Sequence, residues 1–381
     1  MAEVTPMRRP RIKPEHTAYR TTAGNVRIGG LVHGIGAEIE DPAGWVWTLT
    51  TLTDGTRPPD EIAQAVSARH PAVGSAQVTD ALVRLTEAGF LEEADAPPPP
   101  ALSRRERERY SRGVGLLRWM DTTPRRSSWD VQLLLRDAAV LVVGLGGTGG
   151  TLALALAASG VGRLHCVDFD TVDLSNLNRQ TLFTESDLGR PKAEAAAVRL
   201  RAANTDITVT AEHRQITGPA DLTALLGAGP TRYGLLALCA DRPAGIRRWA
   251  NQACLATGVP WVDGGYHGPL ATAGLYRPGD GACWECLHTA EREGRDLGLA
   301  PGADTPALPA TPWNPVNAVT AGLSGALMAH AALSLLTGVP RPVPGRRFGI
   351  NLMLPGEPVL EDSPRRPDCP ACGDRPAGPG R

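Results

Sequence analysis

A doubly wound α/β domain preceded by a small α+β domain is the fold class this sequence predicts, and three observations carry it. From Arg104 to about residue 275, apolar β-rich runs alternate with Ala- and Leu-rich helical stretches, the pattern of a parallel sheet covered by helices. One of those runs, residues 138–143, opens directly into Gly144-Leu145-Gly146-Gly147-Thr148-Gly149-Gly150. Finally, Ala96-Pro97-Pro98-Pro99-Pro100 separates this region from a differently patterned segment of about 95 residues, as a stiff extended linker would.

Within the first segment, Val26, Ile28, Leu31, Ile35 and Ile39 alternate loosely between glycines, the mark of short strands joined by tight turns. A helix is expected over Trp45–Leu52, closed by Asp54-Gly55. A second opens at Pro58-Pro59 with Asp60 and Glu61 in its first turn, where carboxylates meet the positive end of the helix dipole. Val78, Leu82, Leu85 and Leu91 follow at largely helical spacing, and Gly89 suits a C-terminal cap. Short strands, three small helices and the exit "EAGFLEE" describe a winged-helix-like α+β domain over residues 1–95. Residues 96–103 form the linker and 104–381 the second domain, whose charged stretch Arg104 to Arg109 marks a solvated helix start. Residues 288–316, rich in Pro, Ala and Gly without periodicity, read as a long loop, and 373–381 as a disordered tail.

Composition excludes several classes. Lys plus Arg number 39 against 40 Asp plus Glu, so nothing draws the chain globally toward nucleic acid or an anionic membrane. A hydrophobic share of 42% is that of a globular protein. The basic N-terminus has no apolar segment behind it, unlike a signal peptide. Residues 318–339 are long enough to span a bilayer, but Ala, Ser, Thr and Gly dominate them and a histidine interrupts them. A buried core helix is the reading, and a cytoplasmic protein the expectation. The seven cysteines argue against a closed disulfide framework. Cys166, Cys239 and Cys254 sit in apolar stretches as core residues; the other four form two C-x-x-C pairs.

Glycines after a buried strand let the backbone turn sharply and approach a phosphate, whose charge meets N–H groups at the helix start. A second apolar strand, residues 164–167, ends in Asp168-Phe169-Asp170, where carboxylates can bond ribose hydroxyls. These two features alone suit a nicotinamide-binding domain equally well. Asp170, however, is followed by Thr171-Val172-Asp173-Leu174-Ser175-Asn176-Leu177-Asn178-Arg179-Gln180 and then by Gly189-Arg190-Pro191-Lys192. A dehydrogenase has no use for an arginine and a lysine converging on phosphates. An adenylating enzyme does, because charge grows on the α-phosphate as a carboxylate attacks it. Any one of these polar residues alone could be a surface group.

In these residues the chain resembles the ubiquitin-activating-like adenylyltransferases of the ThiF, MoeB and MccB group: a glycine loop, then D-x-D-x-V-x-x-S-N-L-x-R-Q, then G-x-x-K. The resemblance implies a Rossmann-like adenylation domain using ATP and Mg2+. The glycine loop, with Gly144, Gly146, Gly147 and Gly149, would cradle the nucleotide. Asp170 would hold the ribose, Asn176, Arg179 and Gln180 would contact phosphates, and Lys192 would neutralise the α-phosphate. After the apolar run at residues 235–240, Asp241 matches the family's catalytic, magnesium-associated aspartate; it also suits a helix N-cap before Pro243. Arg242 stands where the family has Asn. Arg109-Tyr110-Ser111-Arg112 resembles the family's R-Y-x-R-Q segment, with Gly113 in place of Gln, and implies that Arg112 reaches the partner's site in a homodimer. A plain surface arginine is the alternative.

Cys283-Trp284-Glu285-Cys286 and Cys369-Pro370-Ala371-Cys372 are each knuckle-like, and four thiolates make a closed tetrahedral zinc site. Their wide separation leaves two reduced thiol pairs as the alternative, although the family carries the same pairs here, which implies structural Zn2+. Relatives often capture the activated carbonyl on a cysteine of the crossover loop. Between Cys286 and Cys369 this chain has none, and Thr311 stands roughly there, which disfavours a thioester. No general base is needed, since the attacking carboxylate is ionised near neutral pH.

The first domain resembles the PqqD-like peptide-recognition winged helix, which binds a leader as an added strand. Dimerisation or scaffolding, and DNA binding, are the alternatives; Arg57, Arg69 and Arg84 form no recognition cluster. In layout the chain is similar to the microcin C maturation group. The expectation is adenylation of the C-terminal carboxylate of a ribosomal precursor peptide, giving an acyl-adenylate or nucleotide–peptide product. Activation of a ubiquitin-like sulfur carrier is the first alternative. A non-catalytic peptide-delivery scaffold for a cyclodehydratase is the second, opposed by the retention of Asp170, Arg179, Lys192 and Asp241.

Overall fold

The chain divides between Leu134 and Leu135 into two units. The computed structural model describes residues 7–31, 34–125, 127–227, 232–294 and 315–373.

In the first unit, β1 (Pro10–Ile12) pairs antiparallel with β5 (Leu91–Glu93), tying the start of the unit to its middle. A separate antiparallel sheet holds β2 (Tyr19–Arg20), β3 (Val26–Ile28) and β4 (Ala37–Ile39). Helices α1 (Trp45–Leu52), α2 (Pro59–Arg69) and α3 (Ser75–Glu87) lie between β4 and β5. The apolar spacing of α3 places Val78, Leu82 and Leu85 in one core with Ile28, Leu49, Ile62, Val66 and Phe90. Leu91, expected to extend that helical face, is the first residue of β5. Gly89 closes α3 at φ 74°; a Cβ there would lie 2.3 Å from the Thr122 backbone, so a side chain would drive the two segments apart.

The proline stretch leads into α4 (Arg104–Met120), which Ser103 opens with a capping box: Ser103 Oγ accepts from Glu106 N–H, and Glu106 accepts from Ser103 N–H. The far end of α4 is fastened to the start of the chain. Arg118 Nε donates to Glu15 at 2.8 Å, Lys13 Nζ to the Asp121 carbonyl at 2.6 Å, and His16 Nε2 meets the Trp119 carbonyl at 2.7 Å. These bonds keep α4 within the first unit, so the division falls at Leu134/Leu135 and not at the prolines. A short helix, α5 (Asp130–Asp137), crosses that division.

The second unit is an eight-stranded sheet clothed by helices. It runs through β6 (Ala139–Val143), α6 (Gly147–Ala158), β7 (Arg163–Asp168), α7 (Lys192–Ala203), β8 (Thr208–His213), α8 (Pro219–Gly227), β9 (Leu235–Leu238), α9 (Ile246–Thr257) and β10 (Trp261–His267). Then follow β11 (Leu270–Tyr276), α10 (Trp284–Gly294), α11 (Ala318–Thr337), β12 (Arg346–Asn351) and β13 (Pro358–Asp362). The order is β13-β12-β11-β10-β9-β6-β7-β8; β8 through β10 are parallel and β10 through β13 antiparallel. Buried on both faces, β6 and β9 are wholly apolar. The chain leaves β6 toward β8, then returns to β9 on the other side of β6. That reversal opens a crevice at the carboxyl ends of β6 and β9.

Helix α11 is long and apolar enough to cross a bilayer, yet 56% of its most apolar window is buried against α6, β10 and β11, which makes it a core helix. Gly325 allows the close approach, since a Cβ there would meet the Thr148 carbonyl at 2.5 Å. Helix α10 carries regular structure as far as Gly294, into the stretch expected to be loop. The remainder of that stretch, with Thr311, and residues 374–381 lie outside the described residues.

Candidate active site

At the carboxyl ends of the parallel strands lies a cleft of about 640 Å³. Gly144, Gly146, Gly147, Asp170, Asn176, Arg179, Gln180, Lys192 and Asp241, scattered over a hundred positions, all line it. The loop after β6 is glycine for packing as well as for access. Gly144 has φ 90°, and a Cβ there would stand 2.7 Å from Ala240 N on the neighbouring strand's extension. Gly149 is not among the lining residues; its Cβ would be 1.9 Å from the Gly144 carbonyl, so it lets α6 start tightly beneath the loop. Gly146 precedes α6, whose first-turn N–H groups suit an anion.

The two acids after β7 divide their labour. Asp168, 9% exposed, turns inward: one oxygen accepts the Leu145 N–H at 2.6 Å and the other the Asp170 N–H at 2.8 Å. It staples the glycine loop to the strand end. Burial pushes its carboxyl upward, opposed by those two N–H groups and by Lys192. Asp170 remains half-exposed toward the cleft. Lys192, the first residue of α7 and 5% exposed, donates from Nζ to Asp170 Oδ2 at 2.9 Å, while its N–H reaches the Asp170 carbonyl at 2.9 Å.

Between them, residues 173–180 form a tight turn. Asp173 and Asn176 cap each other's backbone, and Arg179 Nη1 donates to the Ser175 carbonyl and Asn178 Oδ1, both at 3.0 Å. Gln180 is 4% exposed, and its Oε1 has no hydrogen-bond partner among the described residues. A buried amide oxygen without a partner is an exception in folded proteins, and Gln180 places one in the cleft wall. With the glycine loop and two cations, it fits a nucleotide.

Asp241 follows β9 and is exposed on the cleft. It caps no helix: Gly245 precedes α9 and the turn between them separates the two. As an exposed carboxylate on this wall, Asp241 suits a magnesium ion. Arg112 occupies the exposed face of α4 in the first unit.

Sequence reasoning missed Arg214, Arg247 and Tyr266, which also line the cleft. Burial raises the Tyr266 phenol, with Asp241 adding and a hydrogen-bonded Arg179 opposing. The signal that could have found this wall is Asp263-Gly264-Gly265 after apolar Trp261-Val262, another acid and glycine pair near a strand end.

A second cluster is closed. Cys283, Cys286, Cys369 and Cys372 are all buried, with their sulfurs within 4.8 Å of one another. Cys283–Cys286, Cys283–Cys369 and Cys286–Cys372 stand 3.8, 3.7 and 3.5 Å apart. Four thiolates about 2.3 Å from a tetrahedral zinc have edges of about 3.8 Å. The donor set and its size therefore fit Zn2+. Around it, Asn251 Nδ2 donates to Cys283 Sγ at 3.6 Å and Arg366 N–H to Cys286 Sγ at 3.5 Å. Such donors stabilise thiolates and orient the ligands.

Comparison with known proteins joins these sites to a family. The ThiF family profile matches residues 121–371. The molybdopterin-synthase adenylyltransferase of Escherichia coli is 33% identical over 275 residues, 71% of this chain and 98% of that protein. The bovine adenylyltransferase and sulfurtransferase MOCS3 is 35% identical over 283 residues, 74% of this chain but 56% of that protein, so the chain spans about half its length. Among solved structures, Escherichia coli MccB with AMPCPP and MccA superposes with a TM-score of 0.70 at 21% identity, covering 96% of this chain and 100% of that one.

Proposed function

Since the chain belongs to the ThiF family and is an ATP-dependent adenylyltransferase of the ThiF/MoeB/MccB type, we propose that it adenylates the C-terminal carboxylate of a ribosomal precursor peptide. The observation that carries this reading is the presence of the first unit in the shared fold. The MccB likeness extends over 96% of the chain, whereas the molybdopterin-synthase relative is almost wholly spanned by 71% of it. The additional residues supply a small α+β unit with antiparallel strands and three helices, which supports reading it as the domain that grips the peptide. Gripping a leader there raises the local concentration of the acceptor end at the nucleotide.

In the cleft, the glycine loop and the start of α6 receive the triphosphate, and Asp170 bonds the ribose. Arg179, Gln180 and Asn176 hold the phosphates. A carboxylate oxygen of the substrate attacks the α-phosphorus, the bond to the β-phosphate oxygen breaks, and pyrophosphate leaves with the electron pair. No proton moves. Lys192 meets the charge that grows on the α-phosphate; Asp241 would hold the magnesium ion, which supplies charge neutralisation. Arg112 serves a partner's cleft in a homodimer. The four cysteines would hold a structural zinc that pins the C-terminal segment to α10.

A second reading, activation of a sulfur carrier, is favoured by the molybdopterin-synthase relative. Exchange of labelled pyrophosphate into ATP separates the two. Candidate precursor peptides with a free C-terminus should support exchange, their C-terminal amides should not, and deleting the leader should raise KM about a hundredfold. Exchange with a Gly-Gly-ended carrier alone would establish the second reading.

A further inference from the structure

The strand order gives the cleft two ends. Asp170 stands beyond β7, while β10 lies on the opposite side of β6, past β9. The wall at the β10 end is made by Arg247, Gly264, Gly265 and Tyr266, none of which belongs to the glycine-loop or ribose machinery. Arg247, in the first turn of α9, is fixed from behind. Its Nε lies 3.3 Å from Asp263 Oδ2 and its Nη2 3.3 Å from the Gly264 carbonyl. Both bonds use Nε and Nη2, and the residue lines the cleft.

Asp263 is 1% exposed. Its Oδ1 accepts the Tyr276 hydroxyl at 3.2 Å, and Arg347 Nη2 lies 4.0 Å from Oδ2. Opposite Asp263 on β11 is Gly274, where a Cβ would come within 2.5 Å of both the Asp263 carboxylate and the Tyr276 hydroxyl. The sheet is thus built around this carboxylate. Burying a charge is costly, and an apolar core of similar volume would serve packing at least as well. What this arrangement provides is an arginine with a fixed aim. Arg347 is paired more closely with Glu361, at 2.9 Å, and with Glu291, at 3.7 Å, which leaves Asp263 to Arg247, the arginine that lines the cleft. Beside it, a Cβ on Gly265 would meet only Arg247 Nη2, at 3.5 Å, so bare backbone borders the guanidinium.

We propose that Asp263 is a positioning residue holding Arg247 against the cleft wall, and that Arg247 receives the carboxylate to be adenylated; this rests on the reading that a carboxylate is the acceptor. A carboxylate approaching a triphosphate is repelled by it. Lys192 and Arg179 serve the phosphates, and Arg247 serves the incoming anion from the far end. It holds the oxygen that does not attack, and that oxygen remains as the carbonyl of the acyl-adenylate.

The test uses the full chain and two unreactive probes, acetylglycyl-sulfamoyladenosine and sulfamoyladenosine without the acyl group, titrated calorimetrically beside ATP. The wild-type protein should prefer the acylated probe. Arg247→Ala and Asp263→Asn should each reduce that preference about tenfold or more, with ATP affinity held within about twofold, and Arg247→Lys should restore part of it. A merely structural Asp263 would not shift the ratio of two ligands, nor would lysine rescue it. Absence of a preference in the wild type, its survival in Arg247→Ala, or a parallel loss of ATP affinity would each overturn the proposal. If Asp263→Asn does not fold, Arg247→Ala decides alone. Pyrophosphate exchange judges the peptide reading separately, because a carrier substrate would leave the probe preference intact.

Discussion

The nucleotide cleft and the cysteine cluster belong to the same unit and are both assembled from distant sequence, yet they treat polar groups in opposite ways. In the cluster every sulfur faces another, and backbone and amide N–H groups close the second layer. In the cleft, Gln180 Oε1 has no partner among the described residues, Asp170 is half-exposed and Asp241 is exposed. A site that holds structure satisfies itself once its ion is in place. A site that turns over substrate keeps donors and acceptors for a molecule that comes and goes. The contrast predicts that damage to the first is read in stability and damage to the second in rate.

The largest effect should come from the cluster. Cys286→Ser, or a strong chelator, should remove one zinc per chain by metal analysis. Stability should fall by several kcal/mol or more, lowering Tm by roughly 10 °C or more. A Cys286→Ser protein with unchanged Tm and zinc content would erase the contrast from this side. Lys192→Ala should do the reverse. Pyrophosphate exchange should drop about 10²–10³-fold, while Tm moves little, because the Asp170 left behind is half-exposed and finds water. A large fall in Tm would mean that Lys192 is a strut and that the ion pair with Asp170 is structural.

What the sequence showed of these two regions follows the range of the interactions involved. Glycines, Asp170, Lys192 and the cysteine pairs were legible because each lies within a few residues of its own signal. Tyr266 was not, because parallel pairing of β9 with β10 brings it to this wall across an intervening helix, and Arg247, in the first turn of that helix, stood in no motif. Asp168 and Asp170 look alike in sequence, and only the last residue of β7, turned toward Leu145 N–H, distinguishes loop builder from ligand holder. Asp241 could be read as a cap because acids often precede helices; the helix starts later, at Ile246. Lys13, His16 and Glu15 carried no visible signal for binding α4, since their partners lie about a hundred residues away.

A glycine inside the cleft loop sharpens the comparison by mixing the two kinds of damage. Gly149 is not among the residues lining the cleft, but a Cβ there would be 1.9 Å from the Gly144 carbonyl, a backbone atom that cannot swing aside. Gly149→Ala should cost about 1–3 kcal/mol of stability, visible in thermal melts. It should also weaken ATP binding measurably, because the displaced atom belongs to the loop. Loss of affinity without loss of Tm would mark Gly149 as a contact residue after all.

The smallest effect is expected at the rim, where an acid holds one of the cleft's unforeseen cations. Asp221 accepts from Thr217 N–H at 2.8 Å, from Thr217 Oγ1 at 2.7 Å and from Arg214 at 3.2 Å. These bonds, the Thr217 N–H foremost, pull its carboxyl down from 3.8 to about 2. A depressed carboxyl stabilises the fold above its unfolded value and loses that contribution as pH falls through its folded one. Asp221→Asn should therefore lower the melt slightly at neutral pH, where this solvent-screened contribution is fully present, and the two proteins should converge as pH falls from about 4 to about 2. Zinc release in acid strikes both proteins alike, so their difference isolates Asp221. An acid limb identical in the two would show that Arg214 is positioned without it, and that the cleft's outer wall depends on the strand ends alone.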